Sequence, residues 1–187
     1  MNIVIISGSP RTGSLSYRVA LHLKNHLQQN TSYPIQLVDL QHSGLPPIQA
    51  AWSSVEKAPD EFKALAKIIF EANAFILVTP EYNGSYAPAM KNLLDHFPKQ
   101  QHKPFGIVTA SPGAMGGIRA SQQMQLLVGG LFGLLSPHML ITPGVDKKFD
   151  VEGNLLDASF QGQIDNFVKE FLWLAENVVP IKEPVLN

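Results

Sequence analysis

Cysteine is absent from the 187 residues. That removes disulfides, zinc–thiolate sites, iron–sulfur clusters and thiol catalysis together. The formal net charge is only −1, so there is no electrostatic basis for binding nucleic acid or a membrane surface. No apolar run approaches the roughly 18 residues that a transmembrane helix needs. The first apolar run starts within the first three residues and leaves no room for a signal peptide. The sequon Asn30-Thr31-Ser32 then carries no meaning, and a cytoplasmic protein is expected. Arginine is scarce: Arg11, Arg18 and Arg119 are the three in the chain.

What is present is an ordinary globular composition, 45% apolar and 16% charged, without the signature of disorder. This length suits one domain with a full core, and a single domain spanning residues 1–187 is expected. Five short apolar runs with few charges read as buried strands: Ile3–Ser7, Ile35–Leu40, Ala74–Thr79, Phe105–Thr109 and His138–Thr142. Helical spacing fills the intervals: Ser16–Gln28, Asp60–Ala72, Ala89–Phe97, a long glycine-interrupted Gly117–Leu135, and Asp157–Asn177.

Strict alternation of strand and helix argues for an α/β fold, a parallel sheet covered by helices on both faces. With five strands the expected order is 2-1-3-4-5, the flavodoxin-like three-layer arrangement. Such sheets bind ligands beyond the carboxyl ends of their strands, near the switch between strands 1 and 3. The loops after strands 1, 3 and 4 are the most unusual stretches of this sequence.

The first loop runs from Gly8 through Ser9, Pro10, Arg11, Thr12, Gly13, Ser14 and Leu15 to Ser16. Its hydroxyls and amides precede a helix, where the dipole attracts an anion. Arg11 adds a planar, permanently charged fork suited to phosphate. Neither the G-x-G-x-x-G turn nor the P-loop pattern is present. The second loop, "TPEYNGSYAP" from Thr79 to Pro88, places two tyrosines and two prolines directly after a buried strand; prolines fix its backbone. The third, "ASPGAMGGIR" from Ala110 to Arg119, has three glycines within five residues, which lets backbone approach a ligand closely. Phosphate-like, aromatic and glycine-rich loops at one sheet edge describe a mononucleotide with a flat ring, and FMN fits best.

The three motifs, in this order, resemble the NAD(P)H-dependent FMN reductase family, which includes flavodoxin-like quinone and chromate reductases and azoreductases. "GSPRTGS" is similar to the family's phosphate loop, "TPEYNGSYAPAMKNLLD" to its P-E-Y-N segment, and "SPGAMGGIRA" to its glycine-rich loop. The resemblance implies that Ser9, Arg11, Ser14 and Ser16 hold the FMN phosphate, with Leu15 in the same cofactor-binding stretch. It implies that Pro80, Glu81, Tyr82, Asn83 and Ser85 line the ribityl chain and ring, and that Ser111, Gly113 and Gly116 border the ring's other edge. Ser16 stands where many members have Asn, and His96-Phe97 replaces the usual Trp-containing stretch at the wall between subunits.

The implied activity is hydride transfer from NADPH or NADH to bound FMN, then to a quinone, free flavin, azo compound or metal oxyanion. A ping-pong scheme follows if both substrates use one face. No catalytic acid or base is expected, because the flavin carries the chemistry. A homodimer or homotetramer is expected from the apolar Gly117–Leu135 helix and from Met90, Leu93, Leu94 and Phe97. The resemblance implies that Arg119 and Phe97 approach a neighbouring subunit's flavin. Two other classes stay open: a flavodoxin-type electron carrier, disfavoured by the near-neutral charge, and a regulatory FMN-binding protein.

Other constellations read as structural. His22 and His26 have metal-binding spacing but lack an evident third ligand. Asp95-His96 with Ser85 lacks a nucleophile elbow. His138 stands at a strand start.

Overall fold

Alternation along the first strand divides the molecule into two cores. In the computed structural model, which describes residues 1–179, β1 is Ile3–Ser7, fully buried along its length. Successive side chains of a strand point to opposite faces. Ile3 and Ile5 therefore join one apolar cluster while Val4 and Ile6 join the other. The first cluster packs under α1 (Leu15–Asn30) and α6 (Gln161–Val178), with the short α5 (Val145–Lys148) beside them. The second packs under α2 (Lys63–Glu71), α3 (Pro88–Asp95) and α4 (Ile118–Gly130). Residues 180–187, part of the single domain expected from the sequence, lie outside the described residues.

The strands β2 (Ile35–Asp39), β1, β3 (Ala74–Thr79) and β4 (Pro104–Ser111) pair in parallel in that order. The fifth position is filled by two pieces. The two-residue β5 (Leu134–Leu135) pairs with Pro104 and Phe105, and β6 (Leu140–Pro143) pairs with Val108 to Ser111. The order is thus the expected 2-1-3-4-5, with a sixth strand continuing the fifth. Between the two pieces, residues 136–139 stand opposite only Gly106 and Ile107. Pro137 sits in this detour and has no N–H to donate to a ladder. His138 lies there too, ahead of the strand it was expected to open.

Three expectations need correction. The helix expected to run to Leu135 ends at Gly130, and Phe132 takes a positive φ of 60° in the turn that releases the chain into β5. Strand β4 continues two residues past Thr109, to Ser111. The apolar residues of α3 do not form an outer surface: Met90, Leu93, Leu94 and Phe97 are all buried within the chain. Trp52, from the long connection after β2, joins their cluster. Its ring meets Phe97 at 5.4 Å, and its amide donates to the His96 carbonyl at 2.7 Å. Phe97, also packed on Phe70 at 5.5 Å, is thus a core residue and not part of a wall facing another subunit.

Candidate active site

The carboxyl ends of β1, β3 and β4 open onto one cavity of about 630 Å³. Residues 9 and 11–16 line it from the first loop, residues 80–83 from the second, and residues 110–112 from the end of β4. The three loops singled out in the sequence therefore converge.

The first loop stays close to the sheet because Gly8 lets it. Its amide donates to the Val78 carbonyl at 2.8 Å, and a Cβ there would meet Met90 at 2.6 Å. Ser14 caps α1, its Oγ accepting from the Tyr17 amide at 3.4 Å and lying 2.9 Å from Ser16 Oγ. Acidic residues favour the first turn of a helix, yet α1 has none there. Its dipole and first-turn amides are left facing a cavity ringed by hydroxyls. Arg11, exposed at the rim, stacks its guanidinium over the Tyr82 ring, 4.7 Å from the centroid.

The second loop is held from both ends. Thr79 Oγ1 donates to the Pro80 carbonyl at 2.9 Å and accepts from the Ala87 amide at 3.0 Å, closing the loop at its base. At its tip Tyr82 and Ser85 exchange both backbone hydrogen bonds, at 2.8 and 3.0 Å, across Asn83 and Gly84. Both central residues have positive φ, 51° and 82°, the two-residue turn that Asn-Gly favours. Tyr82 Oη is buried and has no hydrogen-bond partner among the described residues.

Glu81 ties this loop to the third. Helix α4 has Gly117 at its N-cap, in the left-handed region and without a side chain to cap the first turn. Glu81 supplies the cap from 38 residues away: its Oε2 accepts from the amides of Arg119 and Ala120 at 3.2 and 3.4 Å. Arg119 Nη1 lies 3.9 Å from Glu81 Oε1. The carboxylate lines the cavity but is committed to the α4 dipole.

Of the residues expected at the site, Ser9, Arg11, Ser14, Leu15, Ser16, Pro80, Glu81, Tyr82, Asn83 and Ser111 line this cavity. Ser85 lines a neighbouring groove instead. The Gly113 amide donates to Ser111 Oγ at 3.1 Å, and Gly116 is buried under Ile141 and Pro143; neither glycine lines the cavity. Thr12, Gly13, Ala110 and Pro112 line it without having been singled out. Thr12 and Gly13 shared the hydroxyl-rich run, and Ala110 and Pro112 the third loop, but no side-chain chemistry marked Gly13, Ala110 or Pro112 as ligand-facing.

The alternative constellations resolve into local packing. Asp95 pairs with Lys91 at 2.6 Å, and His96 Nδ1 donates to the Asn92 carbonyl at 2.7 Å with its ring against Trp52. His22 stacks on His26, donates from Nδ1 to the Gly153 carbonyl at 3.0 Å, and is held below its ordinary pKa chiefly by burial. Among the described residues, no group of three or more His, Cys, Asp or Glu is placed to hold a metal ion.

A parallel sheet in this order, with an anion-receptive helix end at its switch point, defines a flavodoxin-like mononucleotide-binding protein. Comparison with known proteins narrows the class. The sequence model of NADPH-dependent FMN reductases matches residues 1–143, and the chain belongs to that family. An FMN-dependent NADPH-azoreductase of Staphylococcus saprophyticus is 29% identical over 187 residues, covering 95% of this chain and 96% of that protein. An NADPH azoreductase of Bacillus sp. strain OY1-2 is 26% identical over 147 residues, 78% of each chain. Among solved structures, the flavoenzyme NAD(P)H:(acceptor) oxidoreductase FerB of Paracoccus denitrificans superposes with a TM-score of 0.77 at 22% identity, covering 95% of this chain and 98% of that one. A point mutant of flavodoxin from Pseudomonas aeruginosa superposes at 0.56 and 19% identity, covering 92% and 99%.

Proposed function

We propose that the cavity holds FMN by its phosphate at the start of α1, and that NAD(P)H and a small electron acceptor reach it in turn from the open side. The chain is an FMN-dependent NAD(P)H oxidoreductase. The observation that carries the site is the convergence of three loops on a cavity whose one helix end lacks any acid of its own. The residues fit the group. The volume lies within the roughly 300–1,000 Å³ of small-molecule sites. Arg11 and the hydroxyls of Ser9, Thr12, Ser14 and Ser16 suit a phosphate, and Pro80, Tyr82 and Pro112 suit a flat ring.

When bound, FMN supplies two-electron chemistry between a nicotinamide and a second substrate. The chain's own contribution is to bind and orient. The first turn of α1 and Arg11 fix one end of the cofactor. The Thr79 and Glu81 hydrogen bonds hold the second loop rigid, so that Tyr82 and Asn83 keep one wall in place. Glu81 is the acidic residue lining the cavity, and with its charge spent on α4 it is not a general base.

Quinones, free flavins, azo compounds and metal oxyanions are the acceptor classes proposed, and the cytoplasm the proposed location; no described helix is long and apolar enough to cross a membrane. A homodimer or homotetramer remains part of the proposal on a narrower basis. Leu126 and Phe132, at the end of α4, stay 71% and 57% exposed, and exposed apolar residues in one region favour an interface. The experiment is an anaerobic titration of the FMN-loaded protein with NADPH. Stoichiometric loss of the oxidised flavin's visible absorption is expected. A flavin that stays oxidised under excess NADPH and NADH rejects the enzyme reading.

A further inference from the structure

We propose that Lys103 is a site of acyl modification: its amine sits against an apolar aromatic face with no counter-charge, and it takes an acyl group from an acyl phosphate or an acyl thioester. The site lies apart from the cofactor cavity and does not depend on the function proposed for it. Lys103 directly precedes the amino end of β4. The cavity opens at the other end of that strand, roughly 25 Å away at about 3.3 Å per residue.

The chain around Lys103 is fixed on both sides. Its amide donates to the Gln100 carbonyl at 3.3 Å, and its carbonyl accepts from the Leu134 amide at 2.9 Å. The residue is half-buried. Its Nζ lies 5.4 Å from the centre of the Phe75 ring, a fully buried ring stacked on Phe105 at 5.1 Å. The Nζ donates to Gln100 Oε1 at 2.9 Å. Gln100 is itself buried and donates onward to the Pro98 carbonyl at 2.8 Å, so the amine's partner is a neutral amide. Lys63, Lys67, Lys91 and Lys148 each pair with an aspartate or glutamate. Lys103 makes no ion pair among the described residues, and the adjacent His102 is exposed.

A cation drawn out of water without a counter-charge favours loss of its proton. The Phe75 face offsets only part of that cost. Burial is the one cause acting on Lys103, and it brings the pKa down to about 8. A share of the amine is therefore free near neutral pH, where an ordinary lysine is almost wholly protonated. The lone pair of the free Nζ attacks the acyl carbon. A C–N bond forms, and the bond from that carbon to the phosphate oxygen or thiolate sulfur breaks. The leaving group keeps the electron pair of the broken bond, and solvent takes the amine proton. The product is a permanently neutral amide that keeps an N–H for Gln100 Oε1. Carbon dioxide would instead leave an anion in the same apolar place, and an aldehyde an imine that still ionises.

The test treats the FMN-loaded protein with acetyl phosphate, and in a separate arm with acetyl-CoA, between about pH 7 and pH 10. Peptide mass spectrometry reads the initial rate of acetylation at each lysine. Near pH 7.5, Lys103 is expected to react at least about 5-fold faster than the exposed Lys57 and Lys147. Its rate is expected to level off above about pH 8–9, while theirs continue to rise. Gln100→Glu places a carboxylate beside the amine, holds its proton, and is expected to slow Lys103 at least about 5-fold at the same pH. Reaction with acetyl phosphate alone, with acetyl-CoA alone or with both supports the proposal and identifies the donor.

The proposal falls if Lys103 reacts no faster than Lys57 and Lys147 with either donor, or if its rate climbs with theirs to pH 10. It falls equally if Gln100→Glu melts as wild type does and is acetylated at Lys103 just as fast. The wild-type pH profile decides the matter even where that variant folds poorly.

Discussion

Arg11→Ala is expected to weaken FMN binding about 10- to 150-fold, the equivalent of losing one charge-assisted hydrogen bond worth roughly 1.5–3 kcal/mol. The guanidinium stands at the rim of the cavity, exposed and stacked over Tyr82. An exposed stack of this kind is worth only about 0.5–1 kcal/mol, so a phosphate competes for the same fork on favourable terms. Arg11→Lys keeps the charge but loses the planar, two-pronged geometry, and an intermediate affinity is expected. Raising the salt concentration should narrow the gap between wild type and alanine variant, since a rim charge is screened. Fluorescence titration of apoprotein measures all three. An unchanged dissociation constant in Arg11→Ala would mean that the side chain serves the Tyr82 wall alone.

Gly116→Ala is expected to be the most destabilising single-methyl change in the site's framework. The residue has a φ of 60°, and a Cβ would lie 2.7 Å from Ile141, 2.8 Å from the Pro143 nitrogen and 3.0 Å from Pro143 Cδ. The left-handed backbone costs an L-residue about 1–2 kcal/mol, and crowding that cannot relax costs about 1–3 kcal/mol more. The nitrogen cannot swing aside, and the Gly116 carbonyl is itself fixed by Thr109 Oγ1 at 2.8 Å. The melting temperature should fall by roughly 5–20 °C. Gly129→Ala is the control. Gly129 lies in α4 with nothing within 4 Å of its added Cβ, and about 0.4–1 kcal/mol of stabilisation is expected. Equal melting temperatures for the two variants would contradict a rigid third loop.

Much of this was legible in the residues, for reasons that also explain what was not. Strands β1, β3 and β4 are buried runs with few charges, each followed at once by turn-forming residues, and no helix pattern competes there. The stretch "LLVGGLFGLL" has no such clarity. A short apolar run serves a buried helix or a strand equally well, and nothing local announces that Phe132 turns the chain and that Leu134 begins to pair with β4. The apolar residues from Met90 to Phe97 looked like surplus because Trp52, which joins their cluster and packs on Phe97, comes from an irregular segment, and irregular segments carry no period to read. The capping role of Glu81 joins two loops far apart in sequence and leaves no local trace. By contrast, Asn83-Gly84 was a readable hairpin signal that the prolines and tyrosines around it obscured. At the site itself, a loop's membership could be read from composition, but which of its residues face the cavity could not. Ser85, Gly113 and Gly116 lie outside the cavity, whereas Asn83 and Pro112 of the same loops line it.

The central claim is that the start of α1 grips a phosphate at one end of a flavin, and comparing FMN with riboflavin isolates that phosphate. Both are titrated into apoprotein under the same conditions. The account predicts that FMN binds at least about 100-fold more tightly, because the charge-assisted contacts and the helix end act only on the phosphate. Equal affinities for FMN and riboflavin would contradict it.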